Sequence, residues 1–125
     1  MPISRPEDMS EAFAAAVEGA DVERLLALYD PSICYVSRRG EVAQGHEGIR
    51  HAFRWLEGFA GKMETENQYC VVCGDTALVR ATWRIHGTGA GGRVIDSSGL
   101  SAEVLRRGAD GTWRYIVDHP FGGNP

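Results

Sequence analysis

The sequence predicts an α+β fold in which helices from the first half of the chain cover one face of an antiparallel sheet built by the second half. Residues 100–121 form two runs, Leu100-Ser-Ala-Glu-Val-Leu-Arg-Arg and Thr112-Trp-Arg-Tyr-Ile-Val-Asp-His-Pro-Phe, that alternate apolar and polar residues around Gly108-Ala-Asp-Gly111. That is the pattern of a hairpin. Before Gly61 the apolar residues recur at helical spacing, and after it the period falls to two. A sheet of this length needs a covering layer, and the only helices to supply it lie upstream.

Each element follows from local signals. Ser4-Arg-Pro-Glu7 reads as a capping box with Pro in the first turn, and Met9, Phe13, Ala16 and Val17 continue a helix over about residues 6–18. Gly19-Ala20-Asp21 breaks it. Asp21 caps a second, short helix whose Leu25, Leu28 and Tyr29 share a face, and Asp30-Pro31 ends it. Residues 33–37 read as a short strand, and Gly40 and Gly45 bracket a loop or small hairpin. In the third helix, Ile49, Ala52, Phe53 and Leu56 fall at i, i+3, i+4 and i+7, with Trp55 and Phe59 widening the stripe. Four strands follow, over residues 63–73, 76–86, 93–107 and 112–121. The predicted order is ααβαββββ.

Composition narrows the function classes. A chain of 125 residues suits a single domain spanning 1–125. Thirteen Lys and Arg against seventeen Asp and Glu give a net charge of -4, and no basic stripe is present to neutralise phosphates, so nucleic acid is excluded as the main partner. The Arg38-Arg39 and Arg106-Arg107 pairs read as solvated strand ends. No apolar run approaches the ~20 residues of a membrane span, and the N-terminus lacks a signal-peptide core. The expected location is cytoplasmic.

Three motifs invite chemistry and do not support it. Cys70-Val-Val-Cys73 matches C-x-x-C, but residues three apart on a strand point to opposite faces. Together with Cys34 they read as simple buried thiols of a reducing compartment. Gly87-Thr-Gly-Ala-Gly-Gly92 matches G-x-G-x-x-G, yet a strand pattern, Arg93-Val-Ile-Asp, follows where a phosphate site needs a helix. It reads as a hairpin tip. His46 and His51, five apart, do not share a helix face as metal ligands would. The expectation is therefore no metal and no cofactor.

Ala27-Leu-Tyr-Asp-Pro31, Gly45-His-Glu-Gly-Ile-Arg50, Gly74-Asp-Thr-Ala-Leu-Val-Arg80 and Asp110-Gly-Thr-Trp-Arg-Tyr-Ile-Val-Asp-His119 carry a resemblance over essentially the whole chain. It resembles the nuclear transport factor 2-like superfamily, and within it the small bacterial SnoaL-like polyketide-cyclase and ketosteroid-isomerase-like proteins. The resemblance implies a cone: a strongly curved antiparallel sheet wrapped on three N-terminal helices, enclosing an apolar pocket. It also implies a homodimer through the convex sheet face, in keeping with apolar stripes on both faces of the meander. In ketosteroid isomerases a carboxylate base works with a Tyr and a protonated Asp. The ungapped matches here are Ser37, Phe13 and about Ala102, none of which can take those roles.

Candidate site residues come from the strands. On residues 76–86, Arg80, Thr82, Arg84 and His86 share one face and Val79, Ala81, Trp83 and Ile85 the other. The ungapped comparison turns the polar face inward, whereas a slip of one residue would reverse it and bring Trp83 towards Trp55. The acid-base candidates are His119, Glu103 and Asp118. Tyr35 and Arg80 are candidates to hold a ligand oxygen, and Trp83, Trp55 and Phe13 to shape the pocket. The function expected is a small-molecule-binding domain with an enclosed pocket. The alternative is a cofactor-independent isomerase, cyclase, dehydratase or hydrolase acting on a hydrophobic small molecule.

Overall fold

The structure, a computed structural model, describes residues 2–125. A 3-10 turn at Pro6–Asp8 leads directly into α1, Met9–Glu18. No side chain caps this start, so the expected capping box does not form, and Arg5 pairs with Glu7 instead. The second helix, α2, Val22–Leu26, is capped as expected: the Asp21 carboxylate accepts from the Arg24 backbone N–H at 3.0 Å.

Strand β1, Tyr29–Val36, begins earlier than the local signals suggest. Pro31 ends the helix and is itself taken into the strand, because fixed φ suits extended backbone as well as it forbids helix continuation. Strand β2, Val42–Gln44, folds back on β1. Helix α3, Gly45–Ala52, is shorter than predicted and closes in a 3-10 turn, Arg54–Leu56. The apolar stripe is nevertheless buried as its spacing requires. Ile49, Phe53, Leu56 and Phe59 all enter the core.

The sheet comprises β1, β2, β3 (Ala60–Cys73), β4 (Thr76–Thr88), β5 (Val94–Leu100), β6 (Ala102–Arg107) and β7 (Trp113–His119). Its order is β2-β1-β7-β6-β4-β3, with β5 also on β4. Every pairing is antiparallel except β1 against β7, which is parallel and joins the first strand to the last. Strands β5 and β6 are two halves of the single strand the sequence predicts. Both keep one register on β4, Leu100 opposite Thr82 and Glu103 opposite Val79, with the interruption at Ser101. Ser101 repairs the ladder with its side chain, its Oγ accepting from the Ala81 N–H at 3.0 Å.

Helices and sheet meet over a core in which Met9, Val17, Leu25, Ile33, Leu56 and Leu105 are among the fully buried side chains. Helix α1 lies across β3, and α3 against β1. At the end of the β3–β4 pair away from its turn, Gly61 and Gly87 stand opposite each other. A Cβ on Gly87 would come within 2.3 Å of the Ala60 carbonyl, so glycine is what permits that approach. The Gly-rich segment after β4 is a hairpin connection containing a 3-10 turn, Ala90–Gly92.

Candidate functional site

Sheet parity decides what faces the helices. On β4 the buried residues are Ala77, Val79, Ala81 and Ile85, so the apolar face is the inner one. On β6 the inner residues are Glu103 and Leu105, and on β7 they are Trp113, Tyr115 and Asp118. Strict alternation from Trp113 would have turned Val117 and His119 inward. A bulge prevents this: Leu105 faces Tyr115 while Val104 faces Val117, leaving Ile116 as the extra residue. The shift of parity puts Asp118 inside and His119 outside.

The inner faces of these strands and the aromatic residues of the helical layer enclose a cavity of about 390 Å³. Phe13, Phe53 and Trp55 line it from the helical side, and Ala81, Trp83 and Ile85 from the sheet. Its rim carries Arg93 and Val94, both exposed, together with Phe121 from the chain's last turn. The Trp83 indole donates to the Pro120 carbonyl at 2.7 Å, and the Trp83 and Phe121 rings meet edge to face, 5.3 Å between centroids. That contact ties the final turn to the pocket wall.

Two carboxyl groups lie at the buried end. Glu103 and Asp118 are register partners across β6 and β7, 8% and 2% exposed, and both line the cavity. The Tyr29 hydroxyl donates to Asp118 Oδ2 at 2.5 Å, and the Ser101 hydroxyl donates to Glu103 Oε1 at 2.9 Å. Burial pushes the Asp118 carboxyl up to about 6. Burial first, and then the neighbouring Asp118 charge, push Glu103 well above the usual carboxylate range. Two carboxylates sharing a dry site do not both ionise. Of the two, Glu103 is pushed further towards its protonated form, while the hydrogen bond from Tyr29 favours the charge on Asp118.

Three tyrosines surround the pair. Tyr29, Tyr35 and Tyr115 are all raised, chiefly by burial, with the Asp118 charge adding to each, so all three remain neutral donors. Tyr35 lines the cavity opposite Asp118 in the β1–β7 pairing. The arrangement offers a ligand two carboxyl groups and a phenol, set among aromatic rings.

A family model for the SnoaL-like domain matches residues 10–116, most of the chain. The chain belongs to the SnoaL-like domain family. Solved structures of similar fold include a ketosteroid isomerase-like protein from Erwinia carotovora atroseptica, 22% identical, with a TM-score of 0.78 over 95% of this chain and 94% of that one. A conserved protein from Planctomyces limnophilus reaches a TM-score of 0.80 at 16% identity, covering 90% of this chain and 89% of its own. A nuclear transport factor 2-like superfamily protein from Salmonella enterica gives 0.74 at 16%, over 95% and 90%. At these identities the likeness establishes the fold. No curated protein matches the chain significantly.

In this SnoaL-like domain the cavity brings together six of the eight predicted site residues: Glu103, Asp118, Tyr35, Trp83, Trp55 and Phe13. Arg80 and His119 do not join them. Arg80 lies on the outer face of β4, because the inward choice would have buried guanidinium groups while exposing Val79, Ala81 and Ile85. Its guanidinium reaches the Gly123 carbonyl at 3.4 Å. His119 lies outside through the β7 bulge, so it is not paired with Glu103. The cysteines also divide: Cys70 packs against the core, whereas Cys73 is exposed rather than buried.

Sequence reading missed Tyr29, Tyr115 and Ser101. Tyr115 had a usable signal, since it alternates with Trp113 on one face of the last strand. Tyr29 had none, because it reads as the end of α2 and is instead the first residue of β1. His46 has its Nε2 2.8 Å from the Tyr29 carbonyl and so holds the start of α3 to β1.

Proposed function

We propose that this SnoaL-like domain binds a largely apolar small molecule and moves a proton on it without a cofactor, with Asp118 as base and Glu103 as acid. The reading rests on one observation: the pocket's buried end holds two paired carboxyl groups whose surroundings favour opposite protonation states. That division is the signature of an acid and a base working at neutral pH. A cavity of about 150 Å³ takes one benzene ring, so about 390 Å³ takes a ligand of two or three rings.

The chemistry suits a carbonyl compound. The neutral Glu103 carboxyl, with the Tyr35 hydroxyl beside the same cavity, would donate to the carbonyl oxygen. The Asp118 carboxylate would take a proton from the adjacent carbon, giving an enol or enolate, and return it to that carbon or another. Isomerisation and intramolecular cyclisation both follow from this step. Phe13, Trp55 and Trp83 would orient the rings and keep water out, which strengthens each polar contact.

Three broader readings accompany this one. The domain is proposed to act as a single folding unit over 1–125 and to work in the cytoplasm, which the three free cysteines favour. It is also proposed to form a homodimer through its outer sheet face. There Val71, Leu78, Val104 and Val117 are successive register partners and make an apolar row across four strands. Val71 and Leu78 are exposed, as is Tyr69 beside them.

The test uses 2-tetralone, a two-ring ketone with acidic α-protons, and follows solvent deuterium uptake by NMR. The protein should accelerate exchange, and Asp118→Asn and Glu103→Gln should each lower that acceleration by ~10²- to 10⁴-fold. His119→Ala should leave it within about twofold. No acceleration by the parent, or rates in both carboxyl variants equal to the parent's, would leave a binding module with no proton-transfer role.

A further inference from the structure

The pocket is polar at both ends, and the outer end is cationic. Arg93 lines the rim, is exposed, and takes no acidic partner among the described residues. A second arginine, Arg38 of the β1–β2 connection, packs on a residue of that rim. The Arg38 guanidinium carbon lies 4.8 Å above the Phe121 ring, itself a rim residue, and Arg38 likewise has no ion-pair partner. The acid on this rim, Asp96, is engaged by Arg84 at 3.4 Å. Two guanidinium groups without ion-pair partners therefore border one opening, Arg93 in its lining and Arg38 on the Phe121 ring, in a chain whose net charge is -4.

We propose that Arg93 and Arg38 form an anion-recognising mouth, so that the ligand is an aromatic acid: two or three rings with an anionic oxygen group directed outward. This rests on the pocket reading above and narrows it to a substrate class. The inner end, with its carboxyl pair, repels an anion and accepts a neutral oxygen, whereas the rim favours the anion. A ligand with one acidic end has a single favourable orientation. Guanidinium suits the role because its planar fork binds carboxylate or sulfonate through two parallel N–H donors. The Arg38 stack on Phe121 orders that fork over the ring while leaving its edge free to donate.

The probes are 1-anilinonaphthalene-8-sulfonate and N-phenyl-1-naphthylamine, which share their rings and differ by the sulfonate. Binding to the whole chain is followed by probe fluorescence and by quenching of the tryptophans, two of which, Trp55 and Trp83, line the cavity. In the Arg38→Gln/Arg93→Gln double variant the sulfonate should bind about tenfold more weakly, as expected for loss of a charged hydrogen-bonding partner. The neutral probe should change by less than twofold. Raised salt should weaken only the sulfonate and only in the parent. If the neutral probe binds and the double variant holds the sulfonate as tightly as the parent, the cationic mouth is wrong and the pocket reading stands. If neither probe binds the parent, both fall.

Discussion

Asp118 shows how burial changes the proton affinity of an ordinary carboxyl. It is 2% exposed, and loss of hydration raises it from 3.8 to about 6 even though Tyr29 donates to its charged form. This shift has a consequence for stability. A carboxyl raised in the folded state binds its proton more tightly there than in the unfolded chain, so its contribution favours folding below about pH 4 and is lost as pH rises through about 6. Asp118→Asn removes that titration and keeps an oxygen for Tyr29. The stability of the variant minus that of the parent should therefore grow between pH 4 and pH 7, by roughly 3 kcal/mol for a shift of about two units. Chemical denaturation of both proteins at each pH provides the measurement, and a difference that stays flat would mean Asp118 is not held in a dry site. Comparing the two proteins cancels groups that titrate the other way, such as Asp110, held down to about 2 by Arg114.

At the scale of elements, the site depends on two interruptions in otherwise regular strands. The bulge at Ile116 sets which of two neighbouring residues enters the pocket, and the break at Ser101 places a hydroxyl beside Glu103. The helical layer supplies the opposite wall. There the chain leaves α3 through a 3-10 turn that seats Leu56 at 1% exposure beneath the sheet. Leu56→Ala should cost ~2 to 5 kcal/mol, combining lost transfer energy with a cavity the neighbouring aromatics cannot fill. Thermal unfolding of the variant reads this directly, and a loss near zero would show that the turn is not part of the cooperative core.

At the scale of the whole molecule, a seven-stranded sheet with helices on one side leaves its outer face to solvent or to a partner. The row Val71–Leu78–Val104–Val117 crosses that face. A second sheet packed on this surface would cover the apolar row. Light scattering of the parent at high micromolar concentration should return twice the 13.6 kDa chain mass. Leu78→Asp should return the single mass without loss of the circular dichroism of the fold. A parent that stays monomeric at that concentration removes the dimer from consideration.

The sequence by itself determined the class of fold, the succession of helical half and sheet half, and the helix stripes, because these are properties of neighbouring residues. Periods of 3.6 and 2, the Asp21 cap and the Gly-rich turns act over a few positions, and residues such as Ile49 and Leu56 went where their spacing sent them. Six of eight candidate site residues line one cavity: Phe13 and Trp55 from the helical stripes, Tyr35, Trp83, Glu103 and Asp118 from the strands. Only the tertiary structure decided between adjacent residues. Asp118 or His119, and Arg80 or Ala81, differ by a single step along a strand, and one step reverses the face. That step is set by how Ile116 is accommodated against β6 and by the burial of Val79, Ala81 and Ile85 against the helices, both of which depend on partners far away in the chain. Tyr29 lies beyond local reading for the same reason. Its hydroxyl meets a carboxylate 89 residues later, across the parallel β1–β7 pairing that joins the first strand to the last.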